Sequence, residues 1–259
     1  MTIELALLGI GVGTLSGFFG IGGGTVSVPI LLYLGFGIKE AIGISVMQMV
    51  AGSLMAAWIH HKKQTYVVND IKYFGYGGIL GAMVGGFLVK VLDATILEWF
   101  FLTIVAFTLG RLAFSNPVPT RSEVINRPLY TVIGSGIGVF SGMLGVGGSI
   151  LMTPILVSFM GGSILMTPIL VSFMGFPLKK ASAVGLFFVM FTSASAFGTL
   201  LWLGMINVHA GLIMALSSLV GIMIGIWLLN LVKISQYKQI LIVFYVFIFA
   251  ITAYKLIAG

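Results

Sequence analysis

In a chain of 259 residues the only long polar stretch lies between Arg111 and Pro128. Everything on either side is apolar, interrupted only by brief polar or Gly/Pro breaks. Such a chain cannot fold around an interior and leave a wetted surface. Charged residues are 7% of the total, against about 25% in a soluble domain. Ten apolar segments can be marked: 5–19, 24–36, 41–59, 73–90 and 95–113, then 129–144, 149–175, 181–203, 210–231 and 238–257. In lipid every backbone polar group must be satisfied internally, so these segments predict helices. The expected fold is an all-α polytopic membrane protein of eight to ten helices. Its halves are residues 1–114 and 129–259, joined by a cytoplasmic linker at 115–128.

The two halves repeat one another. Ser16-Gly17-Phe18-Phe19-Gly20-Ile21-Gly22-Gly23-Gly24-Thr25, leading to Pro29-Ile30-Leu31, aligns without a gap on Ser141-Gly142-Met143-Leu144-Gly145-Val146-Gly147-Gly148-Ser149, leading to Pro154-Ile155-Leu156. Further on, Gly35 to Ala41 matches Gly175 to Ala181. Gly81-x-x-x-Gly85 matches Gly221-x-x-x-Gly225, a spacing that lets helices pack closely. Thr108 and Arg111 match Thr252 and Lys255. Gly-rich breaks at corresponding places in two halves of a membrane protein point to a transporter's substrate site.

Charge placement sets the topology. Over ten crossings one side collects Lys62, Lys63, Lys72, Arg111, Arg121, Arg127, Lys179, Lys180, Lys233 and Lys238, and the other only Lys39, Lys90 and Lys255. The crowded side is expected to be cytoplasmic and both termini outside. This bias survives only if segments 1–2 and 6–7 act as pairs, each crossing twice or dipping in and returning as a hairpin. Five segments per half is an odd number, so the second half is expected to be inverted and the two Gly-rich tips to approach from opposite faces. The N-terminus lacks a basic region and an Ala-x-Ala site, and reads as an uncleaved first segment.

Residues 148–161 (GSILMTPILVSFMG) recur unchanged as 162–175. The first half has one such stretch, so one copy is an insertion, expected to be absorbed without an added span.

At the Gly-rich turns, residues without side chains let backbone N–H groups approach an anion at the start of a short helix, whose dipole favours negative charge. Thr25, Ser27, Ser149 and Thr153 can add hydroxyl donors. The structural alternative is close packing or a kink at Pro29 and Pro154. Gly20 to Gly24 superficially resembles a dinucleotide fingerprint but has no βαβ context. Ser45, Gln48, Ser53, Ser193 and Ser195 lie inside segments 3 and 8, and each could face a cavity. A lone Ser in a membrane helix more often bonds its own i−4 carbonyl, so Gln48 stands out. All acids and histidines sit near segment ends, as interfacial residues do. Arg111 and Lys255 are placed to snorkel. Met and aromatic residues read as packing or lipid-facing, and no cofactor is assigned. There is no cysteine, so thiolate chemistry and Cys metal sites are excluded. No metal-ligand cluster, nucleophile–base pair or paired carboxylates suggests an enzyme. The +7 net charge is spread over short loops, where it sets topology rather than binding nucleic acid.

The doubled pattern Gly-x-Gly-Gly-Gly/Ser … Pro-Ile-Leu … Gly-Phe … Lys-x-Ala, carried by Gly20 to Ala41 and Gly145 to Ala181, resembles the sulfite exporter TauE/SafE family of toluene sulfonate uptake permeases. The resemblance implies an inner-membrane carrier of sulfite, thiosulfate or sulfonates, with about eight spans from an internal duplication. The expected substrate site then comprises Gly20, Gly22, Gly23, Gly24, Thr25, Ser27 and Gln48 with Gly145, Gly147, Gly148, Ser149 and Thr153. Two rivals are a channel-like anion permease and a membrane scaffold in which the glycines only pack.

Overall fold

The computed structural model describes residues 2–19, 22–62, 68–114, 127–147, 178–229, 231 and 234–258. Among them are nine helices and no strand: α1 (Thr2–Phe19), α2 (Gly24–Tyr33), α3 (Ile38–Lys62), α4 (Val68–Val91), α5 (Ala94–Phe114), α6 (Arg127–Leu144), α7 (Leu178–Trp202), α8 (Val208–Leu229) and α9 (Ile234–Ala258). Expected segment 7 and both copies of the 14-residue repeat lie outside the described residues. α6 starts at Arg127, so the end of the expected linker is already helical. Pro128 sits in its first turn, where a missing N–H costs nothing.

Stretches in α1, α3, α4 and α8 are long and apolar enough to cross a membrane: Thr2–Phe19, Ile38–Ile59, Lys72–Val91 and Val208–Leu228. Many large apolar side chains are exposed, among them Leu80, Leu216, Val243 and Phe247, as on a surface facing lipid. All four tryptophans are exposed too. Trp58 and Trp227 lie near the last turns of α3 and α8. Trp99 and Trp202 lie near the start of α5 and the end of α7. The contacts below put these two pairs at opposite ends of the bundle, as two interfacial belts require.

Helix directions follow from which residues meet. A Cβ added to Gly9, Gly13 or Gly17 of α1 would meet the backbone of Met214, Ser218 and Ile222 of α8 in turn, and Gly221 and Gly225 would meet Ile10 and Thr14. Numbers rise together, so α1 and α8 run parallel with backbones touching. In the same way Gly77, Gly81 and Gly85 of α4 face Thr131, Ser135 and Val139 of α6, while Gly134, Gly138 and Gly142 face Phe74, Gly78 and Ala82. Lipid supplies no hydrophobic force between helices, so this close approach is what holds them together.

α3 also runs with α8: Gly43 abuts Met205 and Ile206, Gly211 abuts Met47, and Gly52 abuts Ile222. α4 runs with α7: Gly75 abuts Phe191 and Gly86 abuts Thr199, and the Phe87 and Trp202 rings stack edge-on at 5.9 Å. The start of α3 meets the end of α4, where the Lys39 ammonium donates to the Lys90 carbonyl at 3.3 Å. So α1, α3 and α8 point one way, and α4, α6 and α7 the other. Lys255, near the end of α9, acts electrostatically on Glu98, near the start of α5, so these two are antiparallel. Four first-half helices thus oppose their sequence counterparts among the described residues (α1/α6, α3/α7, α4/α8, α5/α9), the inverted repeat that the odd segment count predicts. Ser53 and Ser193, equivalent in the repeat, meet near its axis with hydroxyls 3.4 Å apart.

α1 starts, and α2 ends, at the end of the bundle where α3 begins. Segments 1 and 2 therefore form a hairpin with both open ends on one face. At that face Asn207 caps α8 by accepting from the Ala210 N–H at 3.1 Å, and its amide donates to Glu40 at 2.8 Å.

Candidate functional site

Between α1 and α2 the chain turns through Gly22 at φ +62°, a conformation that costs a side chain dearly. Gly23 caps the N-terminus of α2 with no side chain helping. Its carbonyl accepts from the N–H groups of Val26 (3.1 Å) and Ser27 (3.0 Å). The first N–H groups of a helix have no partner within it, and its dipole makes that end positive. Pro29 lies inside α2. It has no N–H to give to the Thr25 carbonyl.

The start of α2 is at mid-depth. A Cβ on Gly23 would collide with the amide oxygen of Gln48 and lie 2.9 Å from its nitrogen. Gln48 is ten residues into α3, about 15 Å along it, or half of a hydrocarbon core about 30 Å thick.

The second turn arrives here from α6, which runs opposite to α1. Gly145 and Gly147 both have φ +62°. The Gly145 carbonyl fills the space that a Cβ on Gly24 would need, and a Cβ on Gly22 would lie 3.6 Å from the Gly147 Cα. A hydroxyl chain ties the turns: Ser27 donates to Ser45 at 2.8 Å, and Ser45 donates to the Gly145 carbonyl at 2.8 Å. Val189 walls the turns on one side and Met49 backs Gly147.

Two polar groups in this region have no hydrogen-bond partner among the described residues. The Gln48 amide is fully buried, and neither its oxygen nor its nitrogen is hydrogen-bonded. The Thr25 hydroxyl is likewise buried and unbonded. Leaving such a group unsatisfied costs about 1–3 kcal/mol. The neighbours are apolar: Val12 and Ile222 flank the glycines that contact Gln48. Every buried polar residue among those described is neutral, and no group of His, Asp or Glu there could hold a metal ion.

Of the expected site residues, Gly22, Gly23, Gly24, Thr25, Ser27, Gln48, Gly145 and Gly147 gather where the turns meet. Gly20, Gly148, Ser149 and Thr153 lie outside the described residues. The serines divide. Ser53 bonds back to the Val50 carbonyl and Ser193 to that of Met190, as lone helix serines tend to. Ser45 and Ser195 instead reach across, to Gly145 and to the Ile79 carbonyl of α4 at 2.7 Å. Ser45 therefore belongs to the junction, which its sequence context gave no reason to single out. Its contribution depends on where Gly145 lies, 100 residues later.

The family model described as Sulfite exporter TauE/SafE matches residues 5–163 and again 158–254. The two matches overlap inside the tandem 14-residue repeat. A probable membrane transporter protein of Methanocaldococcus jannaschii is 26% identical over 241 residues, covering 86% of this chain and 84% of that protein. A probable membrane transporter protein of Bacillus subtilis is 26% identical over 220 residues, 74% of this chain and 75% of its own length. One from Haemophilus influenzae is 30% identical over 164 residues, 59% of this chain and 61% of that protein. No solved structure matches.

Proposed function

As a member of the sulfite exporter TauE/SafE family this chain is a multi-pass membrane transporter, and we propose that it carries a small sulfur-containing anion such as sulfite, thiosulfate or a sulfonate through the junction of the two glycine turns. The observation that carries this reading is the Gln48 amide. It is buried and unbonded beside the positive N-terminus of α2, and an anion seated there would accept hydrogen bonds from its N–H groups, from the Thr25 hydroxyl and from the N–H groups of the helix start. Because the turns enter from opposite ends of the bundle, rocking one repeat against the other would expose the seat to either side in turn. The host is the cell inner membrane with both termini outside. No cofactor is needed, since the work is displacement rather than chemistry.

The test is flux into proteoliposomes holding the purified chain, across sulfite, thiosulfate, sulfate, sulfonates and chloride. Saturable uptake of one sulfur anion is expected, lost in Gly23→Val because the new side chain takes the place of the Gln48 amide. Equal passage of chloride and all the others would mark a pore, and no flux of any would leave the glycines a packing role alone.

A further inference from the structure

We propose that the site takes its anion singly charged and still bearing a proton, so that any proton moved with the substrate travels on the substrate itself. This rests on the anion-site reading above and narrows its cargo to an oxyanion that keeps an O–H near neutral pH, as hydrogen sulfite does and thiosulfate and sulfonates do not.

Charge is the first argument. The desolvation cost of an ion rises as the square of its charge, and a buried ion needs a nearby opposite charge to offset it. The junction has none. α1, α2, α6, α7 and α8 surround this level of α3 and bring it no buried ionisable side chain among the described residues. Glu40 is two turns away at the start of α3, bonded to Asn207. Glu98 of α5 is only half-buried and faces Lys255. Residues 148–177 contain no ionisable side chain in their sequence. What remains is the start of α2, equivalent to about half a positive charge, which suits a monoanion far better than a dianion.

The second argument is the amide. Whichever way it is turned, Gln48 presents two donors and one acceptor, and both ends are unbonded. A fully deprotonated oxyanion has only acceptors. It would satisfy the two N–H donors on Nε2 and set its own lone pairs against Oε1. An oxyanion keeping one O–H accepts from Nε2 and donates to Oε1, and both ends are satisfied. Thr25, both donor and acceptor, is compatible with either partner. No side chain then has to titrate: the proton stays on the substrate oxygen during transit and leaves by ordinary ionisation where the pH is higher.

Sulfite is a suitable probe because its monoanion loses the last proton near neutrality. Uptake by proteoliposomes with equal pH on both sides is measured about one unit below and about one unit above that ionisation, where the monoanion falls from about 90% to about 10% of the total. The half-saturating total sulfite should rise about ninefold, and should be constant when expressed as monoanion. Methanesulfonate has the same charge and no proton, so at the lower pH it should compete at least about tenfold more weakly than sulfite itself. Gln48→Met should narrow that gap. A melting curve shows whether this variant is folded; if it is not, the wild-type comparison decides alone. A half-saturation in total sulfite that is flat or falls as pH rises overturns the proposal, and so does methanesulfonate competing as well as sulfite. In those cases transport itself stands. Neither uptake nor calorimetric binding of any sulfur anion would remove the anion-site reading and this one together.

Discussion

Replacing Gly138 with Ala tests whether direct backbone contact holds the repeats together. The new Cβ would lie 2.5 Å from the Gly78 carbonyl oxygen and 3.0 Å from the Ala82 nitrogen, where ordinary contact begins at 3.4 Å. Both obstacles are main chain of α4, so no side chain can swing aside. α4 and α6 would have to part by roughly 1 Å, a gap that forfeits a quarter to a half of the dispersion attraction at each contact. Two residues away, a Cβ on Gly136 meets nothing within 4 Å. Both changes gain the same helix propensity, about 0.5–1 kcal/mol. That term cancels between them and leaves the overpacking cost, about 1–3 kcal/mol. For a chain of this size the gap in melting temperature is about 2–12 °C, with Gly136→Ala at or above wild type and Gly138→Ala below it. Thermal unfolding of the two variants in one detergent reads it directly. Equal melting temperatures would refute the argument that the glycine row acts through interhelix contact.

Single cysteines introduced at residues 2, 63 and 258 should be labelled in intact cells at 2 and 258 and protected at 63; the reverse pattern would invert the orientation. Deleting residues 162–175 should preserve folding, judged by a monodisperse elution profile, because the first half manages with one copy of the stretch. Asn207→Ala removes the cap of α8 and the partner of Glu40; it should cost about 0.5–2 kcal/mol, read as a lower melting temperature, and a melt unchanged from wild type would show the cap to be idle.

Much of the architecture was legible because it is written in periods and counts. Apolar run lengths identify the helices, lysine and arginine placement sorts their ends, and an odd number of segments per repeat implies inversion. The helix directions agree: Lys39, Lys90 and Lys255 sit at helix termini that the contacts gather at one end of the bundle. Gln48 was legible as an amide where lipid-facing residues are the rule. Helix partners were harder to see. Gly9, Gly13 and Gly17 have the same four-residue spacing as Gly81 and Gly85, and that spacing marks a close-packing face without saying which helix will cover it. Ser45 was missed for the same reason. A lone helix serine more often bonds its own helix, and only the fold brings the Gly145 carbonyl to it.

The parallel glycine contacts also impose an order of assembly during synthesis. The face of α6 meets α4 across about 60 residues of chain (Phe74 and Gly134), whereas α1 waits for α8 across about 205 (Gly9 and Met214). At about 5–20 residues per second of translation, the first helix stays unclasped in the bilayer for about 10–40 s. During that interval its glycine face has only lipid for company. A newborn chain is thus vulnerable first at its own beginning, and of the two glycine-packed pairs the one containing the first helix made is the later to close.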